Sequence, residues 1–216
     1  MRKLILKMSI SLDAFVAGPN GESDWIFRTM DEDSLAWELD LVGRVGLHAM
    51  GSHTYRDMAS YWPWSTEAFA EPMNTVPKAV FSQRSLADLT RDAVKPSRSL
   101  EDARINAKPN AKAEPTAAVL ESWRNPRVLS GPLSEELLRL KNEPGKDVIV
   151  YGGASLAQNV IKSGLVDEHF FLTHPIALGR GLPIFSNLEK PADLELVYAK
   201  SFKGGTVGHL YRPKKR

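Results

Sequence analysis

Two short apolar runs in this chain each end in glycine and run on into a helix-forming stretch, and that pairing narrows the folds open to it. The first is Leu47-His48-Ala49-Met50-Gly51-Ser52-His53-Thr54-Tyr55, and the second is Val148-Ile149-Val150-Tyr151-Gly152-Gly153-Ala154-Ser155. Glycine lets a backbone approach an anion closely. A helix N-terminus presents free N–H groups and the positive end of the helix dipole. Two such turns at the carboxyl edge of one sheet would cradle a diphosphate between them. Either turn alone also suits a plain bend between a strand and a helix, and neither is a GxGxxG fingerprint or a P-loop. Taken by themselves, the residues lead to an α/β domain that takes a phosphate-bearing ligand.

The rest of the chain supplies strands and helices in alternation. Leu4 to Leu12 reads as a strand, with Leu4, Leu6, Met8, Ile10 and Leu12 at alternate positions. Asp13 to Gly21 has loop chemistry. Asp31 to Val45 is predicted helical, with Leu35, Leu39 and Val42 on one stripe and Asp31 or Asp33 available as cap. Short strands are predicted at 46–50, 78–82, 127–130 and 147–151, and helices at 53–60, 133–141 and 154–162. Gly164 is a fitting C-terminal cap. Val166 to His174 is a strand, and 195–202 with 206–212 form a hairpin around Gly204-Gly205. Residues 86–118 contain no aromatic residue and three prolines (Pro96, Pro109 and Pro115), and are read as a surface insertion. The expected fold is a single α/β domain over 1–216, with a mostly parallel central sheet flanked by helices and a C-terminal antiparallel hairpin.

Composition excludes several classes. With 43% hydrophobic and 25% charged residues over 216 positions, the chain has ordinary globular usage. It has no cysteine, so there is no disulfide framework, thiol nucleophile or cysteine-ligated metal. The five histidines (48, 53, 169, 174 and 209) form no HExxH pair, and no metal is expected. A net charge of +2 is too small to point to nucleic acid. No apolar run approaches the ~20 residues of a transmembrane helix. The apolar start is broken by Lys7, Ser9, Ser11 and Asp13, unlike a signal peptide. A cytoplasmic protein without membrane or nucleic-acid partners is the expectation.

Four stretches carry a resemblance that spans nearly the whole chain. Ser11-Leu12-Asp13 with Phe15-Val16-Ala17, then Gly21-Glu22-Ser23-Asp24-Trp25-Ile26, is similar to an "SLDG-IA … GES-WI" opening. Met50-Gly51-Ser52-His53-Thr54-Tyr55, followed by Tyr61-Trp62-Pro63, is similar to a "GRxTY" turn, and Pro77 to Ser82 to a "PK-V-S" strand. Val150 to Leu156, Gly164 to Glu168 and Pro175 to Gly181 are similar to "GGxxL … GLVDE … P-xLGxG". In this order the chain resembles the dihydrofolate-reductase-like superfamily, in the branch of the C-terminal reductase domain of the bifunctional riboflavin-biosynthesis protein.

The resemblance implies an NADPH-dependent reductase acting on a small pyrimidine- or pterin-like substrate, and a homodimer paired through its sheets, for which the Val166–Leu172 strand is apolar enough. It implies that Gly51, Ser52, His53 and Thr54 hold one side of the cofactor diphosphate and Gly152, Gly153, Ala154, Ser155 and Leu156 the other. Ala17 would join them, and Ser82, Gln83 and Arg84 would approach the adenosine end. Ser52 stands where the family usually has Arg, which leaves NADH open beside NADPH, with Arg56 or Arg84 available to compensate. Asp13 and Asp33 are the candidates for the catalytic acid; loop or helix capping is the plainer use of either. Ser23, Trp25 and Trp62 are candidate substrate contacts, with core packing the plainer use of a tryptophan. The competing readings are a dihydrofolate reductase and a dimer of the same fold that binds a nucleotide or other ligand without catalysis.

Overall fold

Leu4–Ser11 (β1) alternates in sequence, yet almost every side chain along it is buried. The reason is that both faces of the strand are covered. Leu4, Leu6, Met8 and Ile10 enter one apolar layer and Ile5 enters the other. The computed structural model describes residues 1–91, 93, 114–186 and 188–214. After β1 come Phe15–Ala17 (β2), Glu32–Arg44 (α1), Leu47–Gly51 (β3), Ser52–Tyr61 (α2), Ala70–Thr75 (α3) and Lys78–Phe81 (β4). Leu86–Thr90 (α4), Ala117–Arg124 (α5), Arg127–Leu129 (β5), Leu133–Asn142 (α6), Val148–Tyr151 (β6) and Ala154–Lys162 (α7) follow. Glu168–His174 (β7), Leu182–Pro183 (β8), Leu194–Ser201 (β9) and Val207–Pro213 (β10) complete the order.

The main sheet runs β5-β4-β3-β6-β1-β7-β10-β9, and β2 pairs with β8 in a small second sheet. From β5 to β7 every pairing is parallel; β10 is antiparallel to both β7 and β9. The expected parallel sheet with an antiparallel end is therefore present. Leu137 and Leu140 of α6 and Ala157, Val160 and Ile161 of α7 pack in the layer that receives Leu4 and Leu6. Leu41 and Val42 of α1, Tyr55 of α2, Met73 of α3, Leu89 of α4 and Trp123 of α5 pack in the other. Trp37 lies on Phe170 at 4.0 Å between ring centres, a core stack as its position predicts.

Three expectations are corrected. The β7 strand lies between β1 and β10 and is buried on both faces, so it offers no surface to a partner. Of the sheet's two edge strands, β5 and β9, it is β9 that exposes Leu196, Val197 and Tyr198. The insertion at 86–118 falls largely outside the described residues, and its described beginning is no surface loop. Leu89 is fully buried and Ala93 nearly so, both in the α1–α5 layer. Leu12 is 71% exposed because β1 ends at Ser11, one residue before its alternating pattern does.

Burial also sets a pH dependence. His48 is fully enclosed, with neither ring nitrogen hydrogen-bonded, and burial pushes its pKa from 6.5 down to about 4. His169 and His174 are driven to about 4 by the same cause. Between pH 6.5 and 4 the unfolded chain takes up protons that the fold refuses, so stability is complete above that window and falls through it as pH drops. Replacing His48 by Leu is expected to reduce that loss by about one proton per molecule, read from the slope of unfolding free energy against pH.

Candidate functional site at the carboxyl edge of the sheet

The two glycine turns meet because β3 and β6 are neighbours in parallel register, ending with Met50 opposite Tyr151. The helices that follow leave on opposite faces: α2 packs in one apolar layer and α7 in the other. Adjacent parallel strands whose connections diverge in this way open a crevice outside their carboxyl ends. Gly51 and Gly153 are the N-caps of α2 and α7, both extended, with φ −77° and −71°. Neither conformation requires glycine. What glycine supplies here is space. A Cβ on Gly153 would meet nothing within 4 Å, and one on Gly51 only the Leu156 side chain at 3.7 Å.

Capping chemistry separates the helices that open on the crevice from most of the others. Asp31, Ser85 and Thr116 cap α1, α4 and α5 through their side chains. The starts of α2, α6 and α7 have no side-chain cap, and Ser52, Leu133 and Ala154 in their first turns line the crevice. Their first-turn N–H groups are left for a ligand. The only other such α-helix among the described residues is the six-residue α3.

The crevice has a volume of about 1170 Å³. It gathers Ala17, Ser23, Gly51, Ser52, His53, Thr54, Ser82, Gln83, Arg84, Gly152, Gly153, Ala154, Ser155 and Leu156. A second cavity of about 720 Å³ adjoins it, sharing Asp57 and Arg84 and adding Arg56 and Arg91. The cations thus collect at the β4 end, where the adenosine was expected. Arg91 is paired with Asp88 at 2.8 Å, and Arg56 donates to the Asp88 carbonyl at 3.3 Å.

Four of the candidates lie outside the crevice. Asp13 clips two loops together. Its carboxylate accepts from the Ser11 hydroxyl at 2.6 Å and from the Leu178 and Gly179 N–H groups at 3.1 and 2.7 Å. These bonds, the Ser11 hydroxyl foremost, hold its pKa at about 2, so Asp13 is fully ionised at neutral pH and has no proton to give. Asp33 is exposed in the first turn of α1 and does not line the crevice. The cap itself is Asp31, which accepts from the Ser34 N–H at 2.8 Å and completes a capping box. Trp25 is buried, donates to the Glu22 carbonyl at 3.2 Å and meets the His174 ring edge-on. Trp62 packs on the α1–α5 layer, with Phe69 at 6.0 Å between ring centres.

The sequence reading overlooked Lys7, Ser9 and Tyr151, which line the crevice beside the β1 and β6 ends. It also overlooked Glu38 of α1, whose Oε2 lies 2.6 Å from Lys7 Nζ. The available signal was a charged residue at a position that folding must bury. Lys7 is the one charged residue of β1, between Leu6 and Met8. Glu38 stands between Leu35 and Leu39 and Val42, on the inner side of α1. Among the described residues no group of three His, Asp or Glu side chains could hold a metal ion, and no helix is long and apolar enough to cross a membrane.

The family model described as "RibD C-terminal domain" matches residues 2–208. The uncharacterized protein YyaP of Bacillus subtilis (strain 168) is 28% identical over 215 residues, covering 97% of this chain and 94% of that one. A pyrimidine reductase-like protein from Corynebacterium diphtheriae superposes with a TM-score of 0.62 at 14% identity, over 100% of this chain and 93% of its own. A dihydrofolate reductase from Enterococcus faecalis, complexed with NADP(H), superposes with a TM-score of 0.57 at 12% identity, over 99% and 97%. At these identities the two structures establish the fold, which is dihydrofolate-reductase-like.

The turn that carries Asp13 is strained in one place. Ala14 has φ +63° and is the only non-glycine residue among those described with a positive φ. It stands where the resembling motif has glycine, and its carbonyl accepts from the Ile184 N–H at 2.9 Å. The left-handed conformation costs an L-residue roughly 1–2 kcal/mol, against roughly 0.5–1 kcal/mol for the extra freedom of glycine in the unfolded chain. Ala14→Gly is therefore expected to stabilise the protein by about 0.5–1 kcal/mol, measured by chemical denaturation at constant m-value.

Proposed function

Because this chain belongs to the RibD C-terminal domain family, we propose that it is an NAD(P)H-dependent reductase that delivers hydride to a small pyrimidine-like heterocycle. The observation that carries this reading is the pair of uncapped helix starts, α2 and α7, on adjacent parallel strands facing one crevice. A diphosphate between them would accept from N–H groups that no side chain caps and would lie at two positive dipole ends. The open space at Gly153 is where a bound phosphate would need it. A nicotinamide cofactor, when bound, supplies a hydride. The protein's part is to hold it against the β1 and β6 ends and to exclude water.

Arg84 is the residue that favours NADPH over NADH, since it lines both the crevice and the adjoining arginine cavity. A 2′-phosphate there would gain charge-assisted bonds that Ser52 cannot give. The substrate is read into the β1 side, near Ser23, Lys7 and Ser9. With Asp13 committed to the loop clip and Asp33 outside the crevice, neither serves as the proton donor. A homodimer belongs to the same reading and is assigned to the β9 edge, because Leu196, Val197 and Tyr198 expose apolar surface along a strand paired on one side only.

Titration calorimetry with NADPH and NADH tests the cofactor reading. Gly153→Asp places a carboxylate where phosphate would sit. The residue is already extended and unobstructed, and Asp is a favoured N-cap, so melting is expected to be unchanged or raised while NADPH binding is lost. Arg84→Ala is expected to weaken NADPH about tenfold or more and leave NADH nearly unaffected. A folded Gly153→Asp variant that binds NADPH as wild type does would remove the basis of the reading. For the dimer, sedimentation at micromolar concentration is expected to show two copies in wild type and one in Tyr198→Glu. A wild-type monomer would refute it.

A further inference from the structure

Beside the crevice, the cavity of about 720 Å³ between α2 and α4 collects more positive charge than its own residues balance. Arg56, Asp57 and Ser60 line it from α2, Asp88 from α4, and Arg84 and Arg91 from the segments just before and just after α4. Arg56 Nη2 donates to the Asp88 carbonyl at 3.3 Å, and Arg91 Nη2 lies 2.8 Å from Asp88 Oδ1, so two guanidinium groups converge on one residue. The remaining Asp88 oxygen, Oδ2, accepts from the Ser85 hydroxyl at 2.7 Å, which ties Asp88 to the cap of α4. Asp57 Oδ2 lies 3.1 Å from Nδ1 of His53. Three guanidinium groups therefore stand against two carboxylates, one of which is shared with His53. Arg56 Nε is buried and has no acceptor, and no described carboxylate pairs with Arg84.

Guanidinium donors without acceptors, beside an open cavity, call for an anion. A guanidinium matches phosphate in particular, meeting two of its oxygens with parallel N–H bonds. The volume decides how many phosphates fit. The cavity falls within the roughly 300–1,000 Å³ of small-molecule sites, far more than one phosphate fills. Three guanidinium groups along its wall suit a chain of phosphates. The Arg91–Asp88 pair is 71% and 52% exposed, and an exposed pair adds little to stability, so Arg91 can exchange the carboxylate for a phosphate at small cost. We propose that this cavity is a second anion site that takes a linear oligophosphate, free or carried by a nucleoside. Arg84 lines both the cavity and the crevice, so an oligophosphate meets the same guanidinium that the 2′-phosphate of NADPH would use. The two ligands compete there, and NADH, which lacks that phosphate, does not. The site itself stands apart from the cofactor reading; the competition rests on it. A bound oligophosphate thereby turns the protein away from NADPH without closing the crevice.

The test is titration calorimetry on the full chain at fixed ionic strength, with inorganic tripolyphosphate and ATP as separate probes. Wild type is expected to bind tripolyphosphate at one site. Arg91→Ala is expected to weaken that binding tenfold or more and to leave NADPH and NADH binding as in wild type. Ser60→Glu sets a carboxylate one helical turn from Arg56 and is expected to abolish tripolyphosphate binding. Arg91 is exposed and Ser60 half-buried, on different elements, so the two variants are expected to melt with wild type. Saturating tripolyphosphate is expected to weaken NADPH tenfold or more and NADH less than twofold. Tighter binding of ATP than of tripolyphosphate assigns the chain to a nucleotide, and equal or weaker binding assigns it to a free oligophosphate. No binding to wild type, or binding that both variants retain, overturns the proposal. Equal displacement of NADH also overturns it, because the probe would then sit on the helix starts of the crevice. Failure of wild type to bind NADPH, with tripolyphosphate still bound and still lost in Arg91→Ala, would instead strike the reductase reading and leave this site standing.

Discussion

The placement of β6 between β1 and β3 determines most of what this protein can do. Val148 pairs with Leu4 on one side and Leu47 on the other, so a strand made late in the chain completes a sheet begun early. Before β6 enters, the chain has gone outward through β3, β4 and β5; after it, β7 is added beyond β1. That reversal sends α2 and α7 to opposite faces and leaves the space at their starts unfilled. Had β6 been added beyond β5, the two glycine turns would stand three strands apart and could not face one ligand. The strand's apolar, β-branched sequence is what permits the position, because a strand flanked on both sides and covered on both faces can carry little else.

Within that frame, most helix starts and turns away from the crevice are closed by side chains. The first turn of α1 is closed by Asp31 and Ser34, and Asp31 reaches on to the Gly204 N–H at 2.6 Å. Asp13 closes the loop at Leu178 and Gly179. The helices opening on the crevice have no such closure, and the Lys7–Glu38 pair beside them leaves one carboxylate oxygen unpaired. Three uncapped helix starts grouped at one edge, on a scaffold that caps α1, α4 and α5 through side chains, distinguish the crevice from an ordinary surface hollow.

Much of this was legible in the sequence, and the failures have a common physical form. Strand and helix periodicities placed the main elements within a residue or two, since burial on a parallel sheet imposes apolar runs that turn residues punctuate. The crevice residues were legible because glycine turns and their neighbours sit close in sequence. Asp13 and Trp25 lie outside the crevice because contacts from far along the chain hold them elsewhere. The N–H groups that hold Asp13 come from Leu178 and Gly179, and the ring that meets Trp25 belongs to His174. Lys7 and Glu38 were missed for the same reason. Each looks like one polar residue in an amphipathic pattern, and only the packing of α1 on β1 turns the two into a pair.

The glycines show how far a single residue type can be read. Gly164 and Gly205 have φ of +67° and +85°, a helix end and a hairpin where the backbone conformation itself excludes most side chains. Gly51 and Gly153 adopt an ordinary extended conformation and are distinguished by the space before them. In the sequence all four look alike. The conformational pair would be costly to replace whatever the protein binds. The spatial pair costs the fold little to replace, so its retention has to be explained by something that occupies the space. A member of this fold that bound no ligand would lose nothing by placing Asp or Ser at 153, where a side chain would cap α7 and gain stability. Glycine at that position is an unused opportunity for stability, and the proposed anionic group on the α7 N-terminus would account for it.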